Sequence, residues 1–190
     1  MGSGIAQVCA SKGMSVILSD RTRDALDHGL AAIKRSLGRF VKKGSLSAEQ
    51  AEQTAARIRL QPGLEAMAEA DFVVEAVTEQ YDVKRKVFEE LDRRTAIHAI
   101  LASNTSSISI TRLAAATAKP HRVVGFHFMN PVPIMRLIEV TRGAHTSAAT
   151  FESAKGLAEA LGKVTVVSQD RPVSGGGLGG GWGWVVVSSF

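Results

Sequence analysis

The chain has 190 residues, 45% of them hydrophobic, with 23 Lys and Arg against 18 Asp and Glu for a formal charge of +5. That length suits one domain with a sizeable core, and a mild, dispersed charge without interleaved aromatic and basic residues argues against a nucleic-acid partner. No apolar run approaches the roughly 18 residues of a membrane span, no basic-then-apolar leader opens the chain, and the one cysteine, Cys9, cannot form an internal disulfide, so a cytoplasmic protein is expected.

Taken in chain order, Met1-Gly2-Ser-Gly4 opens a helix expected over 4–12, and Val16-Ile-Leu-Ser follows as a strand that ends at Asp20. A dinucleotide site needs a glycine-rich turn at a helix start and an acidic residue at the end of the second strand, about 20 residues on. Asp20 stands 18 residues after Gly2. It would accept hydrogen bonds from the adenosine ribose and disfavour a 2′-phosphate, which favours NAD, although Arg21 and Arg23 could accommodate NADP. Gly2 and Gly4 without a preceding strand read equally well as a flexible start, and Asp20-Arg-Thr-Arg as a plain turn.

A helix is predicted over 22–42, where Leu26, Leu30, Ile33, Leu37 and Phe40 form one apolar stripe. Ser36, Arg39 and Lys43 fall on another face, and Gly44 ends the pattern. The basic residues between Arg21 and Lys43 fit either a polyanionic small molecule or a solvated helix face. Further helices are expected at 48–56, 82–93, 109–117 and 147–161. Between them lie Ile58-Arg-Leu, Phe72-Val-Val, Ile97 to Leu101, Val123-Val-Gly-Phe, Leu137-Ile-Glu-Val and Val164-Thr-Val-Val as strands. Continuous apolar strands alternating with helices predict an α/β fold, doubly wound about a mostly parallel sheet. From Ser174 onward seven glycines and two tryptophans with almost no charge read as a disordered or adventitious tail.

Three residues carry the chemistry. Ser106, His127 and Glu139 each lie beside or within a predicted strand, and a hydroxyl, a base and a carboxylate to orient the base are what alcohol oxidation by hydride transfer requires. Read singly, His127 is also a core histidine at a strand end and Ser106 a loop or helix cap. A glutamate inside Leu137-Ile-Glu-Val is costly to bury unless partnered, which supports pairing it with the histidine.

Together, the Met-Gly-Ser-Gly-Ile-Ala start, Glu75-Ala-Val-Thr-Glu79, Asn104-Thr-Ser-Ser, His127-Phe-Met-Asn-Pro-Val-Pro and Leu137-Ile-Glu-Val resemble the 3-hydroxyacyl-CoA dehydrogenase family over about residues 1 to 172. The resemblance implies a Rossmann-like NAD-binding domain and the NAD-dependent interconversion of an (S)-3-hydroxyacyl-CoA with its 3-oxoacyl-CoA, 3-hydroxybutyryl-CoA in the bacterial stand-alone type. It implies His127 as the catalytic base, Glu139 as its paired carboxylate and Ser106 on the substrate oxygen. Gly2, Asp20, Glu79, Lys84, Ser106 and Asn130 match cofactor-contacting positions, and Ser36 and Lys43 match positions on the coenzyme A portion. No metal is implied.

The resemblance further implies a central apolar strand before Met1, and after Pro172 a helical domain that closes the site and carries much of a homodimer contact. Residues 173–190 depart from the family, with Gly177 where it has a substrate-binding asparagine. They are expected to be an aberrant tail from a shifted reading frame, with Met1 an internal start. A chain lacking the first strand and the helical domain is expected to turn over slowly or not at all. The alternatives are a non-catalytic nucleotide-binding fragment and a dehydrogenase of another hydroxy acid.

Overall fold

The computed structural model describes residues 1–170 and the backbone of 184–188. Strands β1 (Ser15–Asp20), β2 (Ile58–Pro62), β3 (Phe72–Glu75), β4 (Ile100–Ser103), β5 (Val123–Phe128), β6 (Leu137–Arg142), β7 (Val164–Gln169) and β8 (Trp184–Ser188) form one sheet in the order β2-β1-β8-β3-β4-β5-β6-β7. The pairs β1/β2, β3/β4, β4/β5 and β6/β7 are parallel, whereas β6 runs antiparallel to β5 and β8 antiparallel to both of its neighbours. Helices α1 (Gly2–Ser11), α2 (Arg23–Lys42), α3 (Ala48–Ala56), α4 (Tyr81–Arg94), α5 (Ile110–Ala114) and α6 (Ala148–Ala160), with two short 3-10 helices at Glu65–Glu69 and Pro120–Arg122, complete the described elements. None of these helices is long and apolar enough to cross a membrane.

Helices cover both faces of the sheet, and β3 shows why its sequence is continuously apolar. Phe72 and Val74 join a core with α1, α2 and α6, while Val73 joins a second core with α4 and α5. Alternate side chains of one strand thus enter opposite layers, and each layer demands an apolar residue. On α2 the predicted stripe buries Leu26, Ile33 and Leu37. Thr22 caps the helix by accepting from the Ala25 amide at 3.2 Å, and Gly44, at φ +72°, ends it.

Two expectations are corrected. The helix predicted over 109–117 stops at Ala114. The strand predicted from Ile97 begins at Ile100, leaving Ile97 72% exposed. Arg122 donates to the carbonyls of Ala96 at 2.6 Å and Ala99 at 3.1 Å, so those acceptors serve a guanidinium and not a strand ladder. The Gly-rich run expected as a tail lies outside the described residues except for 184–188, and there a strand is present. β8 lies between β1 and β3. Both neighbours offer it a row of backbone donors and acceptors that would otherwise be unpaired.

Candidate active site

The antiparallel register of β5 and β6 places His127 directly opposite Glu139. Opposite residues share one face of a sheet, so two side chains 12 positions apart in sequence become neighbours. His127 Nδ1 lies 3.4 Å from Glu139 Oε2. With the carboxylate accepting from Nδ1–H, Nε2 is the nitrogen left to take a proton. The two side chains are 21% and 35% exposed, so the pair is open to a ligand. Gly125, two residues before the histidine, allows the surrounding approach. A Cβ there would lie 2.7 Å from Thr141 Cβ and 3.0 Å from Ile110 Cγ1. The loop after β4 is tied to the same strand by Asn104, whose Oδ1 accepts from the Phe128 amide at 2.8 Å.

Ser106 lies in that loop. Its backbone N–H donates to Glu79 Oε1 at 3.1 Å, and the same oxygen accepts from the Ser107 amide at 3.2 Å, the Ser107 hydroxyl at 3.0 Å and the Thr105 hydroxyl. Ser106 itself is exposed. With its amide spent on Glu79, the hydroxyl is the group it can offer to a ligand. Ser106 and Glu139 open onto one cleft of about 260 Å³, walled by Ile110, Thr141, Ser168 and Asp170. Asp170 fixes the wall by accepting from the Ser109 hydroxyl and the Ile110 and Thr111 amides at 2.7–2.9 Å. Burial pushes its carboxyl up, but the Thr111 and Ser109 bonds outweigh that and hold it below the usual range.

Glu79 and Lys84, which the resemblance matched to cofactor-contacting positions, are joined to each other by an ion pair. Lys84 is buried, with its ammonium 2.7 Å from Glu75 Oε1, 3.3 Å from Glu79 Oε2 and 3.3 Å from the Val77 carbonyl. An ammonium has three donors, and three protein acceptors surround this one, so its bonds lie inside the protein. Glu79 is 16% exposed. Burial pushes its carboxyl up, yet the Thr105 hydroxyl, the Lys84 charge and the Ser107 hydroxyl hold it below the usual range. Glu75, absent from the sequence-predicted site, is the hub. Its Oε1 also accepts from the Val77 amide at 2.6 Å, and its Oε2 from the Ser103 hydroxyl at 2.7 Å. The signal was available, since a glutamate closing Phe72-Val-Val-Glu needs a buried partner as much as Glu139 does.

At the cofactor end, Asp20 closes β1 and accepts from the Arg21 amide at 2.7 Å. Burial raises its carboxyl above the usual range, with the Arg21 and Thr22 amides pulling against it. Gly2 is buried in the first turn of α1. Gly4 lets that turn approach the loop after β5, because a Cβ there would meet Val132 Cβ at 3.0 Å. Asn130, in the same loop, is exposed. A helix start carrying glycines and leading into a strand that ends in a carboxylate fits the diphosphate and ribose of a dinucleotide.

Ser36 and Lys43, predicted to share a helix face, do line one pocket. It measures about 110 Å³ and is completed by Arg39, Phe40, Pro131 and Ile134. Arg39 was placed on that face by the sequence but not in the site, and it adds a second cation. The loop after β5 thus adjoins this pocket through Pro131, Pro133 and Ile134.

The family model described as 3-hydroxyacyl-CoA dehydrogenase, NAD binding domain, matches residues 1–171. A 3-hydroxybutyryl-CoA dehydrogenase of Bradyrhizobium diazoefficiens is 47% identical over 172 residues, 90% of this chain and 59% of the relative. The human mitochondrial hydroxyacyl-coenzyme A dehydrogenase is 43% identical, over 90% of this chain and 57% of its own length. The crystal structure of an (S)-3-hydroxybutyryl-CoA dehydrogenase from Ralstonia eutropha superposes with a TM-score of 0.89 at 41% identity, covering 90% of this chain and 61% of that one. The chain therefore spans about three fifths of the length of the relatives it matches. It belongs to the family of 3-hydroxyacyl-CoA dehydrogenase NAD-binding domains.

Proposed function

We propose that residues 1–172 hold NAD and handle the proton in the interconversion of an (S)-3-hydroxyacyl-CoA, 3-hydroxybutyryl-CoA in the first instance, with its 3-oxoacyl-CoA. The observation that carries this reading is the His127–Glu139 pair, set by strand register, beside a cleft onto which both Glu139 and Ser106 open. NAD, when bound, supplies the acceptor for the C3 hydride. His127 Nε2 takes the proton of the 3-hydroxyl as C3 is oxidised, and Glu139 keeps the ring oriented and steadies the imidazolium. The Ser106 hydroxyl hydrogen-bonds the same substrate oxygen. Asp20 accepts from the adenosine ribose, and Gly2 leaves the backbone of α1 open to the diphosphate. Ser36, Arg39 and Lys43 offer a hydroxyl and two cations to the phosphates of coenzyme A. The names of the bacterial relatives support the short acyl chain.

The test uses the 190-residue chain in excess over NADH, so that even slow chemistry is seen. NADH absorbance is followed after addition of acetoacetyl-CoA or free acetoacetate. The reading predicts consumption with the thioester and none with the free acid. NADH binding without consumption would replace it by a nucleotide-binding module that does no chemistry.

A further inference from the structure

Glu75 and Lys84 do not line the cleft, yet beside their contacts with Val77 their side-chain bonds lead toward the loop that carries Ser106. We infer that Glu75 and Lys84 are positioning residues that act through Glu79 to hold residues 103–107, and with them the Ser106 hydroxyl, at the end of β4. The bearing on substrate rests on the function proposed above, whereas the positioning rests on geometry alone.

The grip is continuous along the loop. The Glu75 carbonyl accepts from the Asn104 amide at 2.7 Å, and its Oε2 accepts from the Ser103 hydroxyl at 2.7 Å. Ser103 Oγ in turn accepts from the Thr105 amide at 3.3 Å. Glu79 takes over from there and holds Thr105, Ser106 and Ser107 with Oε1 alone. Its other oxygen faces Lys84 at 3.3 Å. Lys84 therefore fixes which way the Glu79 carboxylate is turned, and Glu75, bonded to Lys84 at 2.7 Å, fixes Lys84. Glu75 and Lys84 are 0% and 1% exposed in their side chains, so neither can turn to water for a substitute partner.

An apolar pair would fill this volume at least as stably, since a buried ion pair gains little net energy over well-packed hydrophobes. Apolar side chains could not hold Glu79, nor could they accept from the Ser103 hydroxyl. The charged residues thus direct a loop, which bulk packing cannot do. A purely structural pair, by contrast, would affect every element alike when removed.

Backbone hydrogen exchange of the 190-residue chain, resolved by NMR, separates the two. Glu79→Gln and Glu75→Gln are each expected to speed exchange at the Ser106 and Ser107 amides by about tenfold or more, the factor for weakening a hydrogen bond to a charged group. The β4 amides of Leu101 and Ala102 should keep their rates relative to the rest of the core. If Glu75→Gln proves too unstable, the double variant Glu75→Gln with Lys84→Met removes both fully buried charges together and should fold with the same fast loop. Equal acceleration across the sheet in these Glu75 variants would overturn the proposal, and so would fast loop exchange in Glu79→Gln alone. None of these rates depends on turnover, so failure of the dehydrogenase reading would not disturb the result, nor the reverse.

Discussion

Glu75–Lys84 and His127–Glu139 each join a carboxylate to a nitrogen-bearing side chain near the carboxyl-terminal ends of β3 and β5, and they are built in opposite ways. The first is dry, bonded at 2.7 Å and saturated by backbone and hydroxyl partners. The second is half-exposed, joined at 3.4 Å, and leaves one ring nitrogen for a ligand. A buried charge with every bond satisfied is immobile and holds other groups in place. A base that must exchange a proton with substrate needs one face unspent and open. The contrast suits the first pair to architecture and the second to the chemistry proposed for it.

The largest effect expected from breaking the architectural pair comes from Lys84→Met alone. It strands Glu75 in the core and should cost about 3–5 kcal/mol, read from urea denaturation. Adding Glu75→Gln should restore much of that loss. Additive destabilisation in the double variant would show that the two side chains do not act as a pair. A smaller loss sharpens the other side of the comparison. Gly125→Ala places a Cβ 2.7 Å from Thr141 and must shift β5 against β6. It should cost about 1–3 kcal/mol, and it should slow turnover beyond that loss because it disturbs the register that pairs His127 with Glu139.

Acid is expected to act through the carboxyls that folding shifts. Glu79 and Asp170 have lowered carboxyls, as does Asp92, where burial is outweighed by the Arg122 guanidinium at 2.8 Å and the Ala118 amide. A carboxyl lowered by folding contributes stability above its unfolded value, about 3.9 for Asp and 4.3 for Glu, and loses it as pH falls through the folded value. Asp20 runs the other way. Its contribution is complete below the unfolded value and is lost as pH rises through the raised folded one. With Glu90 also lowered, four groups oppose one, so urea midpoints should fall as pH drops below about 4. A midpoint that rises there would mean that Asp20 dominates.

The smallest effect concerns Cys9, whose thiol burial pushes up to about 12. It should react with iodoacetamide only when α1 opens, at a rate that tracks the denaturant dependence of unfolding. Rapid labelling of the folded chain would show that α1 opens on its own, taking the Gly4–Val132 approach with it.

Most of this fold was legible because its strands are buried on both faces and its helices carry one apolar stripe, as in Phe72-Val-Val and Leu26 through Leu37. Ile97 misled because an apolar residue looks the same in a strand and in a turn held by a guanidinium 25 positions later. The trio proposed for catalysis rests on residue types and their resemblance, but the pairing of residues 127 and 139 is a fact of register, which no local pattern states. Lys84 illustrates the limit most clearly. Its position could be matched to a cofactor contact, yet only the fold shows that its ammonium points inward to Glu75. Glu75 was within reach of the buried-carboxylate argument used for Glu139. The strand at 184–188 was hidden because a short valine run after glycines has no partner until the gap between β1 and β3 is seen.

The most direct test compares NADH consumption with acetoacetyl-CoA in the unaltered chain, His127→Gln and Lys84→Met with Glu75→Gln, alongside NADH affinity for each. The account predicts that His127→Gln lowers the rate by about 10²–10⁴-fold, the usual share of a general base, with affinity unchanged. The double variant should keep a measurable rate. Equal loss of rate and affinity in His127→Gln would make that histidine structural and contradict the division of labour between the two pairs.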